Sequence, residues 1–207
     1  MPVFSFHTIQ QPAEGTYKEK GSKFLAFAYP VENESEIKER LDALKKKYFD
    51  ARHHCYAWML GSEKKRFRAF DDGEPNHSAG DPVLGQIRSK DLTHVLVVVV
   101  RYFGGVKLGV GGLISAYKAA AGDALNHAVI IEKEVTGFYT LKYDYDATPE
   151  VMKLIKNNEL TIRSQDFAER CKLEVEISLR RRETFLDAIQ LQVALGLKLE
   201  VTSVDDL

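Results

Sequence analysis

Three stretches of the sequence contain residues whose types and spacing could support chemistry. They are a glycine-rich run at residues 103–112, the triplet His53-His54-Cys55, and an acidic turn at residues 71–75. Glycines between a strand and a helix can turn backbone N–H groups toward an anion. A Cys near a His can form an activated nucleophile, and closely spaced carboxylates can hold Mg²⁺ or perturb one another's pKa. Each stretch therefore carries a functional hypothesis and a structural alternative.

The glycine-rich run matches neither of the common phosphate-binding motifs. Gly104 and Gly109 have the spacing of a P-loop, but Val110 stands where that motif needs Lys. A dinucleotide fingerprint starting at Gly109 meets Ile114 where its last glycine belongs. The run contains Gly104, Gly105, Gly109, Gly111 and Gly112 and is accompanied by the cations Arg101 and Lys107. It therefore indicates either a tight turn with close strand–helix packing or a ligand-binding loop.

The triplet His53-His54-Cys55 lies in a predicted strand. Successive side chains of a strand alternate in direction, so His53 and Cys55 share one face and His54 points to the other. This arrangement suits a Cys/His nucleophilic pair, but no oxyanion loop or orienting acid accompanies it. The favoured interpretation is a buried structural Cys beside polar histidines.

The acidic turn combines Asp71, Asp72 and Glu74 with the nearby His77. These groups could bind a hard metal ion or act as acid and base, yet Asp-Asp-Gly-Glu-Pro is also typical of a solvated turn. Paired helical ligands such as HExxH are absent from the sequence. We therefore expect a recognition or structural loop here, with no catalytic residue, metal or cofactor.

Basic residues alternate with aromatic ones in two short runs, Lys-Lys-Arg-Phe-Arg at 64–68 and Lys-Lys-Lys-Tyr at 45–48. Such runs can attract phosphates and stack bases. For runs this short, a solvated loop at 63–68 and the exposed face of a helix at 45–48 are the favoured interpretations.

The composition limits the class of protein. The chain has 207 residues, 44% of them hydrophobic and 29% charged, as in soluble proteins of one or two domains. Its two cysteines, Cys55 and Cys171, form no CxxC pair, which favours a reducing compartment. The longest aliphatic run, residues 95–100, is too short to cross a membrane, and the N-terminus does not resemble a signal peptide. We expect a cytoplasmic protein that makes no membrane contact.

The net charge of −1 conceals an asymmetry along the chain. Residues 1–133 carry 19 basic and 16 acidic side chains, a net charge of +3, whereas the remainder carries 10 and 14, a net charge of −4. All six histidines also fall in the first part. A charge of +3 is far below a strongly basic nucleic-acid footprint, so any RNA contact should be local.

Hydrophobic periodicity and turn residues predict the elements that position these groups. In the first part we expect strands at 14–20, 23–30, 54–60 and 93–102, and helices from Asn33 to Tyr48, at 82–88 with Asp81 as its cap, and after Gly112. The strand at 93–102 is almost entirely aliphatic, so it should be central in a sheet. In the second part we expect strands at 135–145, 160–167, 171–179 and 197–204, with helices from Thr148 and at 183–195. That order, β-α-β-β-α-β, is a ferredoxin-like split βαβ unit.

Three motifs together resemble the signature of one known family. They are residues 94–112, HVLVVVVRYFGGVKLGVGG; residues 51–58, ARHHCYAW; and residues 71–75, DDGEP. In this order they resemble the IMPACT family, also called uncharacterised protein family 0029, over roughly residues 15–130. The second region is similar to the C-terminal domain of its bacterial YigZ-like branch.

The resemblance implies an α+β protein of two domains. Residues 1–131 would have the fold of the second domain of a small-subunit ribosomal protein, which also occurs in domain IV of elongation factor G. Residues 135–207 would be a ferredoxin-like βαββαβ domain similar to domain V of that factor. Eukaryotic relatives act in translational control, and the family has no established catalytic residues to carry over.

We therefore expect a non-catalytic cytoplasmic binding protein that acts in translation or its regulation by contacting RNA, the ribosome or a translation factor. Arg101 and Lys107 would contact phosphate, and the glycines would permit close backbone approach. The predicted binding residues are Arg52, His53, Asp71, Asp72, Glu74, Arg101, Tyr102, Gly104, Gly105, Lys107, Gly109, Gly111 and Gly112. The alternatives are an enzyme acting on a phosphorylated or nucleotide-like small molecule at the glycine loop, and a pure protein-interaction module.

Overall fold

The structure, a computed structural model, describes residues 2–204. These residues divide into an N-terminal unit, residues 5–133, and a C-terminal unit, residues 134–204 together with residues 2–4. Each unit has hydrophobic core residues of its own.

The N-terminal unit contains seven strands and three helices among the described residues. The strands are β1 (Ser5–Ile9), β2 (Ala13–Glu19), β3 (Ser22–Pro30), β4 (His53–Leu60), β5 (Arg66–Phe70), β6 (Val95–Tyr102) and β7 (Ile130–Glu134). The helices are α1 (Glu34–Lys47), α2 (Gly80–Ser89) and α3 (Gly109–His127).

The main sheet of the N-terminal unit has the order β2-β3-β6-β4-β5, and its neighbouring strands are antiparallel. β6 is its middle strand, and residues 95–100 are completely buried. This agrees with the near-continuous aliphatic sequence of β6, because a central strand with both faces covered needs apolar residues on both.

The two faces of this sheet bury different side chains. On one face, Val97 and Val99 of β6 share a core with Val83 of α2 and Ala120 of α3. On the other face, Val98 shares a core with the apolar side of α1. The alternation of a strand thus sends neighbouring residues of β6 to separate cores.

Local sequence signals set the start of α1. The side chain of Asn33 accepts a hydrogen bond from the backbone N–H of Glu36 at 3.0 Å, and the Glu36 carboxylate accepts one from the backbone N–H of Glu32. The helix start predicted at Asn33 is thus found in the structure, where Glu36 completes a reciprocal cap.

The expectation of a solvated loop at 63–68 is wrong for residues 66–68, whereas residues 63–65 do lie in a turn and loop. Residues 66–70 form β5, which pairs with β4 from Tyr56↔Phe70 to Leu60↔Arg66. The alternating Arg-Phe-Arg-Ala-Phe sequence carries no aliphatic signal, and the strand exists because the edge of β4 offers it hydrogen-bonding partners. β1 and β7 were not expected either, and they pair with each other in a two-stranded sheet.

The C-terminal unit contains the order β-α-β-β-α-β predicted from the sequence. Its elements are β8 (Thr136–Tyr143), α4 (Thr148–Asn157), β9 (Thr161–Phe167), β10 (Cys171–Ser178), α5 (Arg182–Ala194) and β11 (Leu199–Ser203). The sheet order is β11-β8-β10-β9, and every neighbouring pair is antiparallel. Cys171, Leu173, Val175 and Ile177 of β10 are buried, as their strict alternation with polar residues predicts.

The described helices include none that is long and apolar enough to cross a bilayer.

Candidate binding site

The antiparallel pairing of β4 and β6 brings two of the sequence motifs together. His53 lies opposite Arg101, and Cys55 lies opposite Val99, so these four side chains belong to the face that α2 and α3 cover. The acidic turn at residues 71–75 connects β5 to α2 above the same end of the sheet. Residues from all three motifs therefore meet at one place.

Glu74 is the centre of this arrangement. Its Oε1 accepts hydrogen bonds from Nη1 of Arg101 at 2.6 Å and from Oη of Tyr117 at 2.8 Å. Nε2 of His53 lies 4.0 Å from the same oxygen. Because Glu74 and Arg101 are both buried, each charge depends on the other for compensation.

Arg101 is enclosed by aromatic rings as well as by Glu74. Its Cζ lies 5.5 Å from the ring centroid of Phe24 and 5.7 Å from that of Phe103, and its Nε has no hydrogen-bond partner among the described residues. From the sequence, Arg101 was expected to contact phosphate. In the structure the guanidinium instead lies inside the unit, neutralised by Glu74.

Cys55 belongs to the same buried network. Its Sγ lies 2.9 Å from the carbonyl oxygen of Asp71 and 3.3 Å from Oη of Tyr117. Burial raises the pKa of the Cys55 thiol, and the nearby Glu74 carboxylate acts in the same direction. Burial also raises the pKa of Tyr117. A protonated, buried thiol is a poor nucleophile, so the geometry favours the structural interpretation of Cys55.

Asp71 acts as the cap of α2. Its Oδ1 accepts hydrogen bonds from the backbone N–H groups of Ala79 and Gly80 at 3.0 and 2.8 Å, and its Oδ2 accepts one from that of His77 at 2.9 Å. The predicted cap at Asp81 is wrong, because Asp81 lies within the first turn of the helix and bonds to the His77 ring instead. The side chain that caps α2 is Asp71, ten positions upstream of Asp81.

Asp72 fixes the two histidines of β4. Its Oδ2 accepts a hydrogen bond from the backbone N–H of His54 at 2.7 Å, and its backbone carbonyl oxygen lies 2.9 Å from Nδ1 of His53. Burial lowers the pKa of His54, an effect that the Asp72 carboxylate opposes. Asp72 and Gly73 both have positive φ, which turns the chain sharply so that Glu74 points back to Arg101.

The glycine-rich run divides into two parts in the structure. Gly104 packs against the turn between β2 and β3: a Cβ there would lie 1.9 Å from the carbonyl carbon of Gly21 and 2.1 Å from the backbone nitrogen of Ser22. Gly109, Gly111 and Gly112 are not loop residues, because they form the first turn of α3. The expectation of a continuous loop over residues 104–112 is therefore corrected to a loop that ends at Leu108.

The remaining predicted binding residues lie outside the buried network. Tyr102 faces the other side of the sheet, where its hydroxyl donates to Oδ1 of Asp50 at 2.8 Å. Arg52, Gly105 and Lys107 are exposed. The predicted set thus includes the buried Glu74 and Arg101, the half-buried His53, Asp71, Asp72 and Tyr102, and exposed residues that are the most accessible to a partner.

No site role was expected for Tyr117. Its place on the apolar stripe of α3 gives no signal for the hydrogen bonds that its hydroxyl makes. The exposed apolar side chains near the N-terminus of α3 were also missed. They are Phe103, Val106, Val110 and Ile114.

Comparison with known proteins matches the chain to one family. The family profile described as the Impact N-terminal domain matches residues 20–125. The chain is 29% identical to the IMPACT family member YvyE of Bacillus subtilis over 88% of this chain and 84% of that protein. It is 31% identical to the IMPACT family member YigZ of Escherichia coli, covering 72% of this chain and 74% of that protein.

Other relatives match a smaller share of the chain. A protein named IMPACT homolog of Saccharomyces cerevisiae is 38% identical over 44% of this chain and 36% of its own length. Among solved structures, a crystal structure titled only as that of a hypothetical protein has a TM-score of 0.76, with 27% identity and 98% coverage of both chains. The similarity therefore extends over both units of this chain.

Proposed function

The chain belongs to the IMPACT family, and from this premise we propose that it is a non-catalytic binding protein acting in translation or its regulation. The family resemblance supports the link to translation, and the site geometry supports binding over catalysis. We further propose that it acts in the cytoplasm, in keeping with its two unpaired buried cysteines.

The observation that carries this proposal is the separation of the reactive groups from the accessible ones. Cys55, Glu74, Arg101 and Tyr117 are buried and bonded to one another. Such a network can hold a loop and a helix in place, but a substrate has no access to it. What remains for contact is the neighbouring exposed segment at residues 103–114.

We call the exposed side chains of this segment the 103–114 surface. It comprises Phe103, Val106, Lys107, Val110 and Ile114. Val110 and Ile114 are four residues apart on α3 and share one face of the helix. Four apolar side chains with a single cation fit a protein partner better than a phosphate backbone, so a translation factor or a ribosomal protein is the favoured partner.

RNA remains the second candidate, and one observation favours it. The first turn of α3 has no side-chain cap and begins with Gly109, and Lys107 lies beside it. Free N–H groups at a helix N-terminus attract phosphate, and the exposed ring of Phe103 could stack on a base.

The enzyme alternative finds less support at the site. Asp71 is occupied in capping α2, Glu74 neutralises Arg101, and Asp72 holds the backbone of β4. These carboxylates therefore already have structural partners, and Mg²⁺ binding would require them to break those bonds.

For the domains, we propose boundaries at residues 1–131 and 135–207, of which Met1 and residues 205–207 lie outside the described residues. We assign the first to the type of the second domain of a small-subunit ribosomal protein. The second would be a ferredoxin-like domain similar to domain V of elongation factor G. The order β-α-β-β-α-β with the sheet β11-β8-β10-β9 supports the second assignment.

The test measures binding to purified ribosomes by co-sedimentation and to purified translation factors by biolayer interferometry. The variant Val110→Asp/Ile114→Asp should abolish binding to a protein partner. The control Leu191→Asp/Leu195→Asp makes the same chemical change at exposed positions of the C-terminal unit and should leave it intact.

The same assay separates the two partner classes. If RNA is bound, Lys107→Glu should weaken the complex and reduce its salt dependence, whereas a protein contact through apolar side chains should change little with salt. Failure to bind ribosomes and every factor, or binding unchanged in both 103–114 variants, would contradict the proposal.

A further inference from the structure

The outer edge of β5 is an unused hydrogen-bonding edge. β5 is an edge strand of the five-stranded sheet in the N-terminal unit. It pairs with β4 on one side, and no strand of the described chain pairs with it on the other. All of its residues except Ala69 are exposed. Alternate residues of such an edge present their N–H and C=O groups to solvent, which makes the edge a template for an added strand.

The positive charges around β5 are only partly neutralised. Three cations of the segment pair with carboxylates: Lys64 with Asp91, Lys65 with Glu63, and Arg66 with Glu34. Arg68 of β5 and Arg88 of α2 have no ion pair with a carboxylate among residues 2–204. The edge therefore retains two uncompensated guanidinium groups.

Aromatic rings hold these two guanidinium groups on opposite faces of the sheet. Cζ of Arg88 lies 4.5 Å from the ring centroid of Phe67, on the face that α2 covers. Cζ of Arg68 lies 5.8 Å from the ring of Phe70, which contacts Tyr56 on the other face. The exposed fractions of Phe67 and Phe70 are 48% and 36%, so both rings remain available for further contact.

We propose that the outer edge of β5 binds an extended peptide segment with acidic side chains, which adds to the sheet as a sixth strand. The backbone edge supplies the hydrogen bonds. Because side chains of an added strand alternate between the faces, its carboxylates reach Arg88 on one face and Arg68 on the other. This surface is separate from the 103–114 surface and does not depend on the function proposed above.

The charges favour this occupant over two others. A second copy of the chain pairing through β5 would bring Arg66 and Arg68 against their own counterparts, and like charges on adjacent strands are destabilising. A nucleic acid would use the guanidinium groups and the rings, but its phosphate backbone does not form a ladder with alternating N–H and C=O groups.

The experiment uses the full chain and a fluorescein-labelled ten-residue peptide with both ends blocked, Val-Val-Glu-Glu-Val-Val-Glu-Glu-Val-Val, which we call the Glu-Val peptide. Its paired Glu residues place carboxylates on both faces of an added strand. Fluorescence anisotropy should show binding. Arg68→Glu/Arg88→Glu should weaken it at least tenfold, whereas Lys38→Glu/Lys118→Glu, the same charge change elsewhere on the N-terminal unit, should leave it within about twofold. Arg68→Gln, a milder change at an exposed position, should give an intermediate loss of affinity. This variant shows that the loss in the double variant does not come from misfolding.

Two further peptides separate strand addition from simple charge attraction. A peptide with Lys in place of every Glu should bind at least tenfold more weakly, and so should an acidic peptide in which the two central Val residues are replaced by Pro. The Glu-Val peptide should also slow amide hydrogen exchange at residues 66–70.

The proposal is overturned if the Glu-Val peptide does not bind, or if the Pro peptide binds as well as it does. It is also overturned if the variants at Arg68 and Arg88 bind normally, or if a ten-residue oligouridine binds more tightly than the peptide at these arginines. Because Val110→Asp/Ile114→Asp leaves β5 unchanged, failure of the 103–114 surface does not affect this outcome.

Discussion

Arg101 and Glu74 form a buried ion pair, with Nη1 and Oε1 2.6 Å apart and only 7% and 5% of the two side chains exposed. The pair connects the central strand β6 to the acidic turn before α2. Tyr117 extends the connection to α3 through the same carboxylate oxygen. Two family motifs distant in sequence are therefore joined in one structural unit.

The first prediction concerns the energy of this ion pair. Glu74→Leu should lower the free energy of unfolding by about 3–5 kcal/mol, because it leaves Arg101 charged and without its partner in a buried position. Arg101→Met/Glu74→Leu removes both charges and should lose much less than the sum of the two single variants. Urea denaturation of the four proteins measures this coupling, and additive losses would show that the two residues act independently.

The second prediction concerns the cap of α2. Asp71→Ala removes the acceptor of three backbone N–H groups and should cost about 1–3 kcal/mol of stability. Asp81→Ala is the matched control, since it removes a carboxylate whose only bond among residues 2–204 is to an exposed His77, and it should cost less than about 1 kcal/mol. Equal losses in urea denaturation would contradict the assignment of the cap to Asp71.

The third prediction concerns the reactivity of Cys55. In a Cys171→Ala background, the buried thiol with its raised pKa should react with iodoacetamide at pH 8 far more slowly than the same chain in denaturant. Mass spectrometry of timed samples gives both rates. Rapid alkylation of the folded protein would show an accessible thiolate and would reopen the nucleophile hypothesis.

The fourth prediction concerns pH and His54. Since burial lowers the pKa of His54 below its ordinary 6.5, the unfolded chain takes up a proton there at a higher pH than the folded chain does. The contribution of His54 to stability should therefore be complete above pH 6.5 and decline as the pH falls below it. His54→Gln should unfold with a weaker pH dependence between pH 7.5 and 5.5, and identical slopes for the two proteins would contradict this.

The fifth prediction compares two glycines of the glycine-rich run. Gly104→Ala should destabilise the protein by about 1–3 kcal/mol, because its Cβ would collide with the backbone of Gly21 and Ser22. Gly111→Ala meets no atom within 4 Å and lies in α3, so it should be neutral or add up to about 1 kcal/mol through helix propensity. Thermal unfolding of the two variants tests whether, of these two glycines, only Gly104 is required for packing.

Much of the secondary structure could be predicted from the sequence, because it depends on local signals. The alternation in β10, the cap at Asn33 and the aliphatic run of β6 each express a property of neighbouring residues. The family motifs could be found in the same way, since they are short and ordered. These features predict the α+β class and the order of most elements, although not β1, β5 and β7.

The sequence did not show which charges are buried or which strand edges are paired. Arg101 follows six aliphatic residues, yet whether it faces solvent or Glu74 depends on the position of a turn 27 residues away. Likewise, Asp71 caps a helix that begins nine residues later, and β5 becomes a strand only where β4 offers an edge. Tertiary structure decided these points, because the energy of a buried charge, a cap or a paired edge comes from a partner that lies far away along the chain.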